Sequence, residues 1–149
     1  MRSRPTACGA LLVAAMTLLT AVRPADDHEE ERSAEPSVHY TEIVCADVEA
    51  QCKALASVHG LEFGEKDADY GTARVAKARD GSLVGVRAPL ASHESPIIRT
   101  YRQVDDIAKA VEEVEAAGGM IAYGPVEQGD TGQWAIYFLG DLQFGLWQR

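Results

Sequence analysis

A pattern of about 55 residues occurs twice in this chain, and a repeat of that length must be one supersecondary unit used two times. Each copy runs as an apolar stretch, an aspartate, a helical stretch, a glycine and then further apolar stretches. Asp47, Val48, Cys52, Leu55 and Gly60 lie 59 positions before Asp106, Ile107, Val111, Val114 and Gly119. The ends match too, since Val84-Gly85-Val86 lies 60 positions before Phe144-Gly145-Leu146. In the second copy Ile107, Ala110, Val111, Val114 and Ala117 recur at helical spacing and make one apolar stripe. Asp106 precedes them as an N-cap, its carboxylate accepting from free N–H groups of the first turn. Gly118-Gly119 ends the helix, because glycine enters the left-handed conformation at little cost.

The repeat predicts strands over 38–45, 61–64, 70–79 and 82–88 with a helix over 47–58. For the second unit it predicts strands over 97–104, 120–123, 133–139 and 142–148 with a helix over 106–117. Asp80-Gly81 reads as a two-residue hairpin turn. Ala88–Pro96 reads as a polar crossing loop, Gly124–Gly132 as a second loop, and Gly140-Asp141 as the last turn. Each unit is therefore βαβββ, the units spanning 38–90 and 97–148 of one domain, 38–149. The fold class is α+β: a curved mixed sheet around a cleft, with helices on its outer face.

Residues 1–21 read as a signal peptide. Arg2 and Arg4 precede the apolar run Ala10–Leu19, which has the length of a signal core and is short for a membrane span. Export, periplasmic or secreted, with cleavage near Ala21 or Ala25 and no stable membrane insertion afterwards, is the expectation; an uncleaved N-terminal anchor is the alternative. Residues 22–37 read as a disordered acidic tether, since Asp26–Ser37 has no apolar side chain larger than alanine. His28 sits in that tether as a solvated residue. The formal net charge of −9 excludes a nucleic-acid partner, whose phosphates require a basic surface.

Cys45 and Cys52 close the first strand and enter the first helix, where they read as two small buried hydrophobes. A disulfide between them is the alternative in an oxidising compartment. Neither pattern has zinc spacing. His59, beside Gly60, reads as a cap on helix carbonyls, and His93 as a solvated loop residue.

The strand-Asp-helix-Gly pattern at Val44–Gly60 and Gln103–Gly119, the Asp80-Gly81 hairpin and the closing run Phe144-Gly145-Leu146-Trp147-Gln148 together resemble the vicinal oxygen chelate superfamily. This is the group of glyoxalase I, bleomycin-resistance proteins and extradiol dioxygenases, and the likeness, which covers Val38 to Gln148, is to its small glyoxalase-like branch. It implies one small-molecule cleft formed by the two units. It also implies that metal ligands, where used, stand in the first and last strands of each unit. In this sequence those positions hold Tyr40, Gly85, Arg99 and Gly145. Glycine has no side chain and arginine stays protonated, so no metal or other cofactor is expected.

Strand alternation places Tyr40, Glu42, Arg87, Arg99, Tyr101, Gln103 and Trp147 on one concave face and turns His39 away from it. Arg87 and Arg99 would grip a carboxylate or phosphate, while Tyr40, Tyr101 and Trp147 would stack on a planar or apolar body. Glu42 is the candidate catalytic residue, as a general base. The structural alternative is that Glu42 forms an ion pair with Arg87 or Arg99. Trp134 and Tyr137 read as core or interface. The expected function is metal-free binding of a small anionic or aromatic molecule by an exported glyoxalase-fold protein, with homodimerisation as a further expectation. The alternative is a metal-dependent or acid-base lyase, isomerase or dioxygenase of the same superfamily.

Overall fold

The aspartates that open the two helices do so by capping them. In a computed structural model, which describes residues 37–149, the Asp47 carboxylate accepts from the Ala50 N–H at 2.9 Å and that of Asp106 from the Lys109 N–H at 3.0 Å. Helix α1 (Val48–His59) ends at Gly60, which takes a left-handed φ of 67° and donates its N–H to the Ala56 carbonyl. Helix α2 (Ile107–Ala116) begins with the Ile107 N–H on the Gln148 side-chain carbonyl at 2.8 Å, so the last strand helps to hold it. The expected leader, with Cys8, and the tether as far as residue 36, with His28, lie outside the described residues.

The strands are β1 (Val38–Val44), β2 (Lys66–Asp67), β3 (Ala73–Lys77) and β4 (Leu83–Arg87), then β5 (Ile97–Gln103), β6 (Met120–Glu127), β7 (Gln133–Leu139) and β8 (Leu142–Gln148). They form one eight-stranded sheet in the order β2-β3-β4-β1-β5-β8-β7-β6. Each unit is βαβββ, and in each the first strand pairs in parallel with the last, β1 with β4 and β5 with β8. The units join through β1 and β5, which are antiparallel. In that seam Tyr40 faces Tyr101 and Glu42 faces Arg99. A shift of 59 positions turns the first pair into the second, which places the axis of the repeat at the Thr41–Thr100 pair.

The two faces of the sheet differ in chemistry. Helix α1 packs on Ile43 and Val86 through Cys52, with Cys45, Leu55 and Phe63 around them. Helix α2 packs Ile107 and Ala110 on Ala135 and Leu146. Cys45 and Cys52 are free thiols in this core, and burial raises the pKa of each. The opposite face gathers Tyr40, Tyr101 and Trp147, flanked by Tyr70 and Trp134.

Three local expectations are corrected. Residues 61–64 form no strand, because Phe63 turns into the α1 core while the Gly64 N–H bonds Val75 O at 3.0 Å; the short strand follows at Lys66–Asp67. The β3–β4 connection is a longer hairpin than two residues. Ala78 and Ser82 close it, and Gly81 sits at φ 89°, where a three-residue loop needs its left-handed residue. Strand β6 runs on to Glu127 through the expected loop, at the cost of register shifts against β7.

Gly85 and Gly145 are required by packing on the cleft face. A Cβ on Gly85 would lie 2.0 Å from the Tyr40 hydroxyl oxygen, and one on Gly145 would lie 2.1 Å from the Tyr101 ring. Gly145→Ala must displace a buried ring and is expected to lower stability by about 1–3 kcal/mol. Urea denaturation checks this; an unchanged midpoint would show that Tyr101 does not hold this position.

Candidate functional site

Period-two alternation in β1 and β5 carries Tyr40, Glu42, Arg99 and Tyr101 to the same face, and β4 and β8 add Arg87 and Trp147 beside them. These six residues line one cavity of about 350 Å³, at the lower end of the range for ligand pockets. Gln103, expected with them, does not reach it. It lines a second hollow with His39 and Arg149. The Trp147 ring separates the two spaces, lining the first and packing at 5.2 Å against His39 of the second.

His39 is the extra residue where the β1–β5 register slips between Val38 and Tyr40. It lines no part of the cleft, as alternation predicts, yet the bulge brings its ring onto Trp147. Burial lowers its pKa, and the Arg149 charge adds to this. His59 is the exposed last residue of α1 and His93 is exposed in the crossing loop.

The floor of the cavity is a closed charge network. Glu42, 6% exposed, accepts from Arg87 Nε at 2.6 Å on one oxygen and from Arg99 Nη1 on the other. The Tyr101 hydroxyl donates to that second oxygen at 3.0 Å. Arg87 then grips Glu94 of the crossing loop with both terminal nitrogens, at 2.7 and 2.9 Å, and the Leu90 N–H donates to the same carboxylate. Arg99 spends its remaining fork on the Gln143 side-chain carbonyl. Two buried guanidinium groups are thus balanced by two carboxylates. Hydrogen bonds from Arg87 hold the Glu94 carboxyl at about 2, against an ordinary value of 4.5. Burial lowers the Arg87 pKa, but Glu94 and Glu42 outweigh it and keep the guanidinium above its ordinary value.

The walls are aromatic. Tyr70 stacks on Trp147 with ring centroids 5.8 Å apart and planes 15° from parallel, and Tyr123 stacks on Trp134 at 5.3 Å and 30°. Both indole N–H groups are committed, Trp134 to the Gln128 side-chain carbonyl at 2.6 Å and Trp147 to the Thr131 carbonyl at 2.8 Å. Tyr40 is different. Its hydroxyl, over Gly85, is the one buried side-chain polar atom without a hydrogen-bond partner among the described residues. Burial, then the Glu42 charge, raises its pKa well above the ordinary phenol value.

Sequence reasoning missed several lining residues. Trp134, read as core or interface, lines the cavity; its neighbour Ala135, fully buried against the α2 cluster, shows that the two point to opposite faces. Alternation along β7 was the available signal. Tyr137, on the Ala135 side, packs with the α2 core as read. Tyr70 sits in a 3-10 turn, Ala68–Tyr70, opened by the Asp67 carboxylate on the Asp69 N–H and closed by Gly71. The Asp…Gly punctuation marks that turn in the sequence. Glu94 and Gln128 lie in loops, where no period speaks for them.

The donors at this site do not fit a divalent metal. Tyr40 and Arg99 stand beside Gly85 and Gly145, and both oxygens of Glu42 and of Glu94 are taken by nitrogen donors. Among the described residues, no group of three or more His, Cys, Asp or Glu is placed to hold a metal ion.

Removing one partner of a buried charge network leaves the others uncompensated, so Glu42→Ala is expected to cost about 3–5 kcal/mol in chemical denaturation. A loss below about 1 kcal/mol, the range of surface pairs, would contradict the closed network. Glu94 predicts an acid limit. Its folded-state pKa lies below its unfolded value, so its contribution is complete above pH 4.5 and disappears as pH falls towards about 2. Thermal melts across that window should show a slope that Glu94→Gln flattens.

No family model matches the chain, and no curated protein matches it. Solved structures do. A hypothetical protein of Bacillus halodurans C-125 is similar with a TM-score of 0.62 at 14% identity, over 77% of this chain and 95% of that one. Methylmalonyl-CoA epimerase of Mycobacterium tuberculosis gives 0.59 at 15% identity, over 74% and 86%. A glyoxalase/bleomycin resistance protein/dioxygenase superfamily member of Vibrio splendidus 12B01 gives 0.54 at 18%, over 74% and 97%. Identities this low speak for the fold alone, and with two βαβββ units joined through their first strands they show that the chain has the vicinal oxygen chelate fold.

Proposed function

We propose that this is a metal-free binding protein for a small molecule, working outside the cytoplasm, with Tyr40, Tyr101, Trp134 and Trp147 as the surfaces that hold the ligand. The observation that carries this reading is the composition of the cleft: aromatic walls over a floor whose charges are already paired. Such a cavity offers stacking area, and its donor set does not suit a divalent metal. Both carboxylates of its floor are engaged, and the remaining lining carboxylate, Asp69, is exposed in the turn beside Tyr70. Glu42 as a general base would first have to give up hydrogen bonds from Arg87, Arg99 and Tyr101.

Export rests on the N-terminal sequence. Among the described residues, no helix is long and apolar enough to cross a membrane. Pairing of two chains is supported by Ile98 and Leu142, on the adjacent strands β5 and β8, which are 67% and 65% exposed.

A thermal-shift screen of small organic molecules, run alongside elemental analysis, tests the function. Protein purified without chelators and challenged with Ni, Zn, Mn and Fe is expected to keep less than about a tenth of an equivalent of metal. Ligands of the cleft should raise the melting temperature in proportion to their excess over Kd. Near one equivalent of metal, or a screen with no stabilising compound, would overturn the proposal.

A further inference from the structure

We infer that the ligand is an uncharged, planar ring compound carrying a hydrogen-bond acceptor, and that the Tyr40 hydroxyl is the group that recognises this acceptor. The inference rests on the binding reading above and adds the chemical class. Three observations converge on it. The first is the closed floor. Arg87 and Arg99 line the cleft, yet every nitrogen of their guanidinium groups already bonds Glu42, Glu94, Ala88 or Gln143. An anion would have to displace Glu42 or Glu94 to be gripped, and the one lining carboxylate outside that network, Asp69, is exposed to solvent, where pairing with a cation gains little. A charged ligand therefore loses its hydration without gaining a buried counter-ion.

The second observation is the lone hydroxyl. Tyr40 is 3% exposed and lines the cavity, while its hydroxyl has no partner among the described residues. Buried polar groups are nearly always paired, and an unpaired donor is the costlier kind of orphan. Its raised pKa keeps it a phenol, hence a donor, at ordinary pH. The Tyr101 hydroxyl is engaged by Glu42, and both indole N–H groups by Gln128 and Thr131, while the remaining polar lining residues, Asp69, Tyr70, Tyr123 and Gln128, are at least partly exposed to water. The third observation is the walls. Tyr70, Tyr101, Trp134 and Trp147 surround Tyr40 or its neighbours at ring distances of 5.2 to 6.1 Å, and they leave a space suited to a compound of one or two rings.

Isosteric probes separate these terms. 2-Naphthamide, 2-naphthoate and 2-naphthylmethylamine share one ring system and are neutral, anionic and cationic at neutral pH. In calorimetric titration of the purified protein, the amide is expected to bind at least about tenfold more tightly than either charged probe. Tyr40→Phe should weaken the amide about tenfold while leaving the urea midpoint unchanged or higher, since it deletes a group unpaired in the free protein. If the naphthoate or the amine equals or exceeds the amide, the inference fails and the binding proposal stands. Equal amide affinity in wild type and Tyr40→Phe overturns the role of the hydroxyl. If no probe binds, the ligand class is wrong; a stabilising compound from the wider screen would then keep the binding proposal, and a blank screen would remove both.

Discussion

Glu42 joins three strands and two halves of the molecule. It stands on β1, accepts from Arg87 on β4 and from Arg99 on β5, and so crosses the seam between the units with its one side chain. Backbone pairing already holds β1 to β5. The charges add direction, because guanidinium forks meet a carboxylate only in a narrow range of geometries. They also commit the cleft floor to a polar arrangement that an apolar core would not need. Buried ion pairs gain little net stability over well-packed hydrophobic residues. Their effect here is on form: Arg87 passes the constraint to Glu94, and thereby anchors the crossing loop that carries Leu90 to the rim of the cavity.

The repeat explains why the cleft exists, and departure from the repeat explains what fills it. Two units joined through antiparallel first strands place equivalent positions on opposite sides of an axis, diagonally across the seam. Tyr40 and Arg99 are one such equivalent pair, Glu42 and Tyr101 another. The closing strands contribute glycine in both units, yet the glycines serve different neighbours. Gly85 makes room for the far end of Tyr40, and Gly145 for the body of the Tyr101 ring. Side chains that reach inward from the first strands thus occupy the space that larger residues on the last strands would need. Glycine at both closing-strand positions therefore leaves the room in which the aromatic centre is built.

Most of the architecture was legible because it rests on period and punctuation. Both aspartate caps, both helices, the βαβββ order of elements along the chain and the outward placement of the helices follow from apolar spacing and from Asp47, Gly60 and Asp106. Alternation also placed six of the seven expected residues around one cavity. It failed where side-chain packing competes with it. Leu61–Gly64 has the composition of a strand, but Phe63 is drawn into the α1 core, and the strand is displaced to Lys66–Asp67. Gln103 is on the right face and in the wrong compartment, because a ring of Trp147 stands between it and the cleft. Glu94 was invisible for another reason: a loop residue chosen by a partner 7 positions away leaves no periodic trace.

The reach of Arg87 and Arg99 was legible as well, and their pairing with Glu42 stood as one of two readings. From sequence, two arginines on a concave face look like a grip for an anion. The structure has the alternative arrangement, the ion pair with Glu42, and Glu94 and Gln143 take further donors of the two forks. Charge type on a face thus says little about ligand charge until the partners are counted. Hydrogen-bond capacity says more, because an unspent donor in a dry site is a debt that only a ligand or a water can settle. By that measure the informative residue of this cleft is Tyr40, whose hydroxyl alone among the buried side-chain polar atoms described is left without a partner.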